Sequence, residues 1–264
     1  MSIGYTHKPK IYINSALRGG PRWRFSKENF KFIFVNSDDR KKLTARLGAI
    51  HSQAKEDNFS FLKFEAGLNY QPINALNISF SPEFELSPNK TQYVTQRDYN
   101  DVKRYILGTI DNQTLSASFR INYTINPNLT IQYYAQPFIS RGRYKDFKYV
   151  TNSTADRLED RFYTYNTSEI ALNNGVYEVD EDQDGMYDYN FSDPDFSFVQ
   201  FNSNLVMRWE YIPGSELFLV WSQGTRANIS SSEGLVDGFQ TGILDQQPQN
   251  IFLIKAKLNY IFKS

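Results

Sequence analysis

From Asn250 to Phe262 the apolar residues Phe252, Ile254, Ala256, Leu258, Tyr260 and Phe262 fall at every second position, with Lys255, Lys257 and Asn259 between them. Side chains alternate across a strand, so the pattern predicts a strand with one apolar face and one charged, wet face. A tilted strand of about 10 residues crosses a bilayer, and this stretch has that length. The same period runs through much of the chain. Ile11 to Leu17 predicts a short strand, broken by Arg18-Gly19-Gly20-Pro21-Arg22. Trp23 to Val35 predicts an aromatic-rich strand in which Phe30, Phe32 and Phe34 alternate. Leu43, Ala45, Leu47 and Ala49 share a face opposite Thr44 and Arg46.

Two pairs of strands carry a register argument. Leu62, Phe64, Ala66, Leu68 and Tyr70 lie on one parity, and after the turn Gln71-Pro72-Ile73-Asn74 so do Leu76, Ile78, Phe80 and Phe84. Pairing Tyr70 with Leu76 puts both apolar sets on one side of a hairpin and sets Lys63 opposite Glu83 on the other. Gln92-Tyr93-Val94 extends this region and Arg97 to Asp101 reads as a loop. The stretch Val102 to Ile125 then alternates through Leu115, Ala117, Phe119, Ile121, Tyr123 and Ile125. It turns at Asn126-Pro127-Asn128, and Leu129, Ile131, Tyr133, Ala135 and Ile139 resume the matching parity, as in a meander. From Arg141 to Asp195 the pattern dissolves into a polar segment too long for an ordinary loop, which predicts a functional or partly mobile region. Order returns with Val199, Phe201, Leu205, Met207, Trp209 and Tyr211. Pro213-Gly214 turns the chain into Leu217, Leu219 and Trp221, and a second loop, 224–249, leads to the last strand.

If the strands run up and down, the long loops 141–195 and 224–249 fall at one end and the short turns at 36–40, 71–75, 126–128 and 213–214 at the other. Outer-membrane barrels sort their connections this way. The fold expected is therefore all-β: an antiparallel up-and-down transmembrane β-barrel, or the C-terminal part of a larger one, with about nine or ten strands forming a single domain over 1–264.

Composition narrows the reading further. No run of about 18 apolar residues exists, which excludes a helical span and leaves a barrel open. Mean hydropathy is −0.55, in keeping with strands that are half apolar. Aromatics make up 16%, including 18 Tyr and 21 Phe, which suits strands and interfacial girdles. Trp209, Tyr211, Trp221, Tyr260 and Phe262 are the residues expected in such a belt. The 29 basic and 29 acidic residues cancel, so nothing draws the chain to nucleic acid. With no cysteine there is neither a disulfide framework nor a thiolate site. Met1-Ser2-Ile3-Gly4-Tyr5 has no apolar signal core, and the expectation is a C-terminal piece of a longer protein.

Three blocks, Arg120 to Tyr144, Phe201 to Gly224 and Asn250 to Phe262, resemble the C-terminal barrel of an outer-membrane family, domain of unknown function 5916. The most specific part is Arg208-Trp209-Glu210-Tyr211 followed by Pro213-Gly214-Ser215. Members of that family place a family-9-like carbohydrate-binding domain ahead of the barrel. The resemblance implies a barrel in the cell outer membrane of a Gram-negative cell and brings a surface glycan into view as ligand. It assigns no activity to particular residues.

Candidate chemistry is sparse. Asp180, Asp182 and Asp184 stand at positions 1, 3 and 5 of a calcium-type loop, with Gly185 at 6, the Met186 carbonyl at 7 and Asp188 at 9. Position 12 is Phe191 in place of the bidentate Glu, with Asp193 or Asp195 as substitutes. A plain acidic surface loop is the equal alternative. Glu83 and Glu85 share a face near Lys63. Paired carboxylates hydrolyse glycosides, but charge facing a barrel's interior is the commoner cause. His7 and His51 belong to no triad or metal spacing, and no catalytic constellation is found. The expected lining of the interior is Arg46, Lys63, Glu83, Glu85, Arg120, Arg208, Glu210, Lys255 and Lys257, whose mixed signs argue against a strongly ion-selective pore.

The leading expectation is an outer-membrane β-barrel segment with a structural, binding or transport role, surface glycan binding or uptake being one such role. Its partners would be the lipid bilayer and the outer-membrane insertion machinery, with Ca²⁺ as the one candidate cofactor. A cell-surface carbohydrate-active hydrolase component and a soluble β-sandwich binding module are the alternatives.

Overall fold

The computed structural model describes residues 1–259. Tyr260 and Phe262, expected in the aromatic belt, lie outside them. In chain order the strands are β1 (Ser2–Lys8), β2 (Ile11–Ile13), β3 (Trp23–Phe25), β4 (Glu28–Asn36), β5 (Leu43–Ala54), β6 (Ser60–Ile73), β7 (Leu76–Leu86), β8 (Asn89–Tyr99), β9 (Val102–Asn126), β10 (Leu129–Val150), β11 (Phe162–Thr164), β12 (Ile170–Asn173), β13 (Val176–Val179), β14 (Tyr189–Ser192), β15 (Phe196–Ile212), β16 (Ser215–Asn228) and β17 (Gln249–Lys257). A 3₁₀ turn covers Glu159–Arg161, and a short α-helix, α1 (Leu235–Phe239), is followed by a π-helical turn, Gln240–Leu244.

The protein is all-β. Its principal sheet runs β1-β4-β5-β6-β7-β9-β10-β15-β16-β17, every neighbouring pair antiparallel, with β8 and β11 attached to β9 and β10. The sheet is open where a closed barrel was expected: among the described residues β1 and β17 have no strand on their outer edges.

The turns sort as the pattern predicts. Those between β4 and β5, β6 and β7, β9 and β10, and β15 and β16 lie at one end. The β6–β7 and β9–β10 turns meet through the pair Leu76↔Tyr123, and the β9–β10 and β15–β16 turns through Leu129↔Trp209. Pro213-Gly214 closes the last of these turns. Gly214 sits at φ 80°, a conformation that costs a residue without Cβ little.

Three expectations change in detail. Trp23 to Val35 is two strands, because β3 leaves the main sheet to pair with β2. The β6–β7 register is displaced by two residues: Tyr70 pairs with Ile78 and Lys63 with Glu85, after an irregularity between Tyr70 and Ile73. A shift of two keeps every side chain on its face, so the apolar parity survives. The span 97–101 is a tight hairpin joining β8 to β9, with Asn100 and Asp101 both at positive φ, as a type I′ turn requires.

The polar stretch also begins later than its composition suggests. β10 continues to Val150 and β16 to Asn228, so the connections proper are 151–195 and 229–248. Alternation fails along the end of β10 because polar contacts to the 229–248 connection hold one parity of it and both faces are covered past a bulge. Arg141 donates to the Glu233 carbonyl and to Gln113, and Arg143 donates to the Ser231 carbonyl at 2.7 Å. At Asp146, φ 49°, a bulge then shifts the register between Lys145 and Lys148. Phe147 and Lys148 are consecutive, and both are 4% exposed.

Segment 151–195 carries its own three-stranded sheet, β12-β13-β14. Val179, Tyr189 and Phe191 pack with Ile106, Phe147 and Tyr165 from the main sheet and its flank. A second small core joins Leu17, Trp23 and Leu107. The cap is thus a packed body resting on the far end of the strands.

Candidate functional site

Two surfaces of the sheet differ sharply. One parity carries Ile33, Leu47, Phe64, Leu68, Phe80, Tyr123 and Trp209, all exposed. Its exposed band lies toward the short turns. Farther along the same parity Ile139 and Val199 are fully buried, because α1 and the π-helical turn lie against β10 and β15. Trp209 and Tyr211 are near the β15–β16 turn. Trp221 is at mid-strand, stacked on Phe252 at 5.9 Å, and its Nε1 donates to Asn250 at 2.9 Å.

The other parity is polar, and the register brings the expected charged residues onto it. Arg46 pairs with Glu65 at 3.1 Å, and Lys63 reaches Glu83 at 2.7 Å diagonally. Glu85 accepts from Ser87 at 3.3 Å. Toward the other edge Arg208 Nε donates to Glu216 at 2.8 Å, with Glu210 and Lys257 beside the pair. Arg120 lies 4.6 Å over the Tyr134 ring, and Lys255 lies over Phe218. At a water-facing surface such pairs contribute less than about 1 kcal/mol each and leave the face nearly neutral.

This polar face also carries rings that the alternation of β4 did not place there. Phe30, Phe32 and Phe34 stack along β4 with centroids 6.2 and 5.5 Å apart. Phe32 is paired with Gly4 and Phe34 with Gly48, and each ring covers the bare glycine backbone. Arg46 lies 4.3 Å over Phe34. The signal was present in the glycines, but only the strand pairing shows which ring faces which glycine.

The cap is fixed by buried polar groups. Arg104 binds Glu181 through two nitrogens, and Tyr189 donates to the same carboxylate at 2.5 Å while standing 2.7 Å from the Tyr165 hydroxyl. Hydrogen bonding to Glu181 raises the Arg104 guanidinium, and burial pushes both phenols up. Lys148 donates to the Lys90 carbonyl at 2.8 Å and to Thr109 at 3.1 Å; burial pulls its amine down to about 8.

Of the proposed calcium ligands, Asp180, Asp182 and Asp188 each bring a carboxylate oxygen within 4.8 Å of the others. Asp184 is outside that group. Its carboxylate accepts the Met186 N–H, while its own N–H donates to Asp180 and Asp182. Asp188 accepts the Glu181 N–H. These bonds shape the loop as successive side-chain-capped turns.

The fold and its two faces define an all-β protein built on one broad antiparallel sheet, apolar on one side and polar on the other. Residues 16–261 match the family described as Domain of unknown function (DUF5916), and the chain belongs to that family. No curated protein matches it.

Proposed function

We propose that this chain forms β-barrel wall in the cell outer membrane, with its apolar parity toward lipid and its polar parity toward a water-filled interior that binds or takes up surface glycan. The observation that carries the reading is the exposed apolar band. Leu47 is 62% exposed, Phe64 and Leu68 48%, and Trp209 45%. Single exposed apolar residues are ordinary, but a contiguous band across neighbouring strands marks a surface that meets lipid or protein. From Leu115 to Ile125 the band has the length a tilted strand needs to cross hydrocarbon, roughly 9–11 residues.

That setting places a demand on the open edges of the sheet. Unpaired N–H and C=O groups cost several kcal/mol each in hydrocarbon, so β1 and β17 need partners there, either each other or further strands. The partners implied are the bilayer and the machinery that inserts such strands. A sandwich would need a second sheet over the apolar band, whereas β12-β13-β14 packs at the far end of the strands. For a hydrolase, Glu83 would have to give up Lys63. The test is which solvent each face meets once the chain is refolded with lipid, read from labels at neighbouring positions such as Ile121 and Asn122.

A second reading concerns the acidic loop. The convergence of Asp180, Asp182 and Asp188 favours Ca²⁺, which takes six to eight oxygen ligands. Calorimetry is expected to show Ca²⁺ heat that disappears in Asp182→Ala; no heat with the intact chain would leave only a self-capped acidic turn.

A further inference from the structure

On the polar face, where β10, β15, β16 and β17 meet the end of the 229–248 connection, lies a cavity of about 730 Å³. That is within the roughly 300–1,000 Å³ of small-ligand sites. Seven of its fourteen lining residues are Asn or Gln, and Arg226 is its one charged residue. The strands set these groups side by side: Tyr134 is paired with Asn204, Asn204 with Ser222, and Asn202 with Gly224. Three contacts hold the lining in place, Ser222 to Asn204 at 2.6 Å, Tyr134 to Gln136 at 2.9 Å and Gln246 to the Thr241 carbonyl at 3.1 Å. Among the described residues Asn202, Gln249 and Arg226 have no side-chain hydrogen bond to protein, so their polar ends are free for a ligand.

The floor of the cavity is a glycine. In the main sheet Gly4, Gly48 and Gly142 are each covered by a ring, from Phe32, Phe34 and Phe196. Gly224 has none. A Cβ there would meet only the Asn202 amide oxygen at 3.5 Å and the Phe201 carbonyl at 4.0 Å, both ordinary contacts. A side chain therefore fits at this position and would stand in the cavity. Glycine inside a strand weakens it, and one reason to find it there is the close approach of a ligand to the backbone.

We infer that this cavity is a binding site for a neutral oligosaccharide. Each amide offers both donors and an acceptor, the complement of sugar hydroxyls that do both. Ile251 and the part of the Tyr134 ring left open beside Arg120 supply apolar wall for the C–H faces of the sugar rings. An acidic glycan would face one cation, and a basic ligand would find no carboxylate. The inference rests on the reading of this face as water-facing, and it names the ligand class and the residues.

The experiment is calorimetry on the refolded chain with maltohexaose, cellohexaose, xylohexaose and mannohexaose, beside hexagalacturonate and a polar hexapeptide. Saturable binding of at least one neutral glycan is expected, weakened at least tenfold by Gly224→Leu, which fills the cavity, and by Asn202→Ala, which removes one free amide. Binding of none of the neutral glycans, preference for the uronate or the peptide, or indifference to both variants would overturn it. Labels at Ile121 and Asn122 in the same preparation separate the two claims. Normal labels without glycan binding defeat the site alone; glycan binding with both labels in water defeats the membrane reading alone.

Discussion

Replacing Arg161 by alanine is expected to loosen the cap by about 2–3 kcal/mol, below the roughly 3–5 kcal/mol of a fully buried pair because the Glu56 carboxylate left behind is 22% exposed. Arg161 is 0% exposed, and all five of its N–H donors are used. Two bind Glu56 side by side, each at 2.8 Å. The others reach the carbonyls of Ala155 at 2.8 Å, Arg24 at 3.0 Å and Asp156 at 3.2 Å. One guanidinium thus ties the start of the 151–195 segment, the strand β3 and the turn after β5 together, beside the Trp23 ring. Alanine would strand the Glu56 carboxylate and three backbone acceptors. Hydrogen exchange read by mass spectrometry over 151–165 is the measurement, because the cap can open without the whole sheet unfolding. The double variant Arg161→Met with Glu56→Leu removes both charges together and is expected to recover part of the loss. An exchange rate unchanged in Arg161→Ala would show that the clamp holds nothing.

The second large effect is expected at Leu47. Leu47→Arg should cost about 2–4 kcal/mol when the chain is folded in lipid, the range for a cation on the lipid face near mid-bilayer. Leu47 is 62% exposed and sits on the apolar parity of β5, paired with Val35 and Ala66. The prediction is sharp because the same change in water should be nearly silent: substitutions at exposed positions usually stay within about 0.5 kcal/mol. Urea titration in vesicles measures it, with Asn69→Arg on the polar parity of β6 as the comparison. Equal, small effects at both positions would remove hydrocarbon from the account.

Alternation made the faces of the long strands legible, and it did so even where the register was displaced by two residues, because the side-chain period is two. It could not place Phe30, Phe32 and Phe34. Their parity is clear, but their role depends on Gly4 and Gly48 in partner strands. The end of β10 was opaque for a different reason. A strand bulged at Asp146, with charged side chains before the bulge and both faces covered after it, no longer alternates, so composition made ordered strand resemble loop. The clamp was invisible as well: Arg161 and Glu56 are 105 residues apart, and nothing local to either predicts the pair. The acidic loop was legible as a motif, with three of its four carboxylates converging and Asp184 turned to the backbone. The cavity around Gly224 needed four strands and the end of a connection to become a place at all.

The most direct test of the two-solvent sheet uses β9. The chain contains no cysteine, so a single cysteine introduced at each position from Ala117 to Tyr123 carries a nitroxide label at one defined place. After refolding into vesicles, labels at Ala117, Phe119, Ile121 and Tyr123 are expected to collide chiefly with dissolved oxygen, which concentrates in hydrocarbon. Those at Ser118, Arg120 and Asn122 should collide chiefly with a water-soluble nickel complex. Collision profiles without a period of two, or water contact on both faces, would contradict a sheet that separates lipid from water.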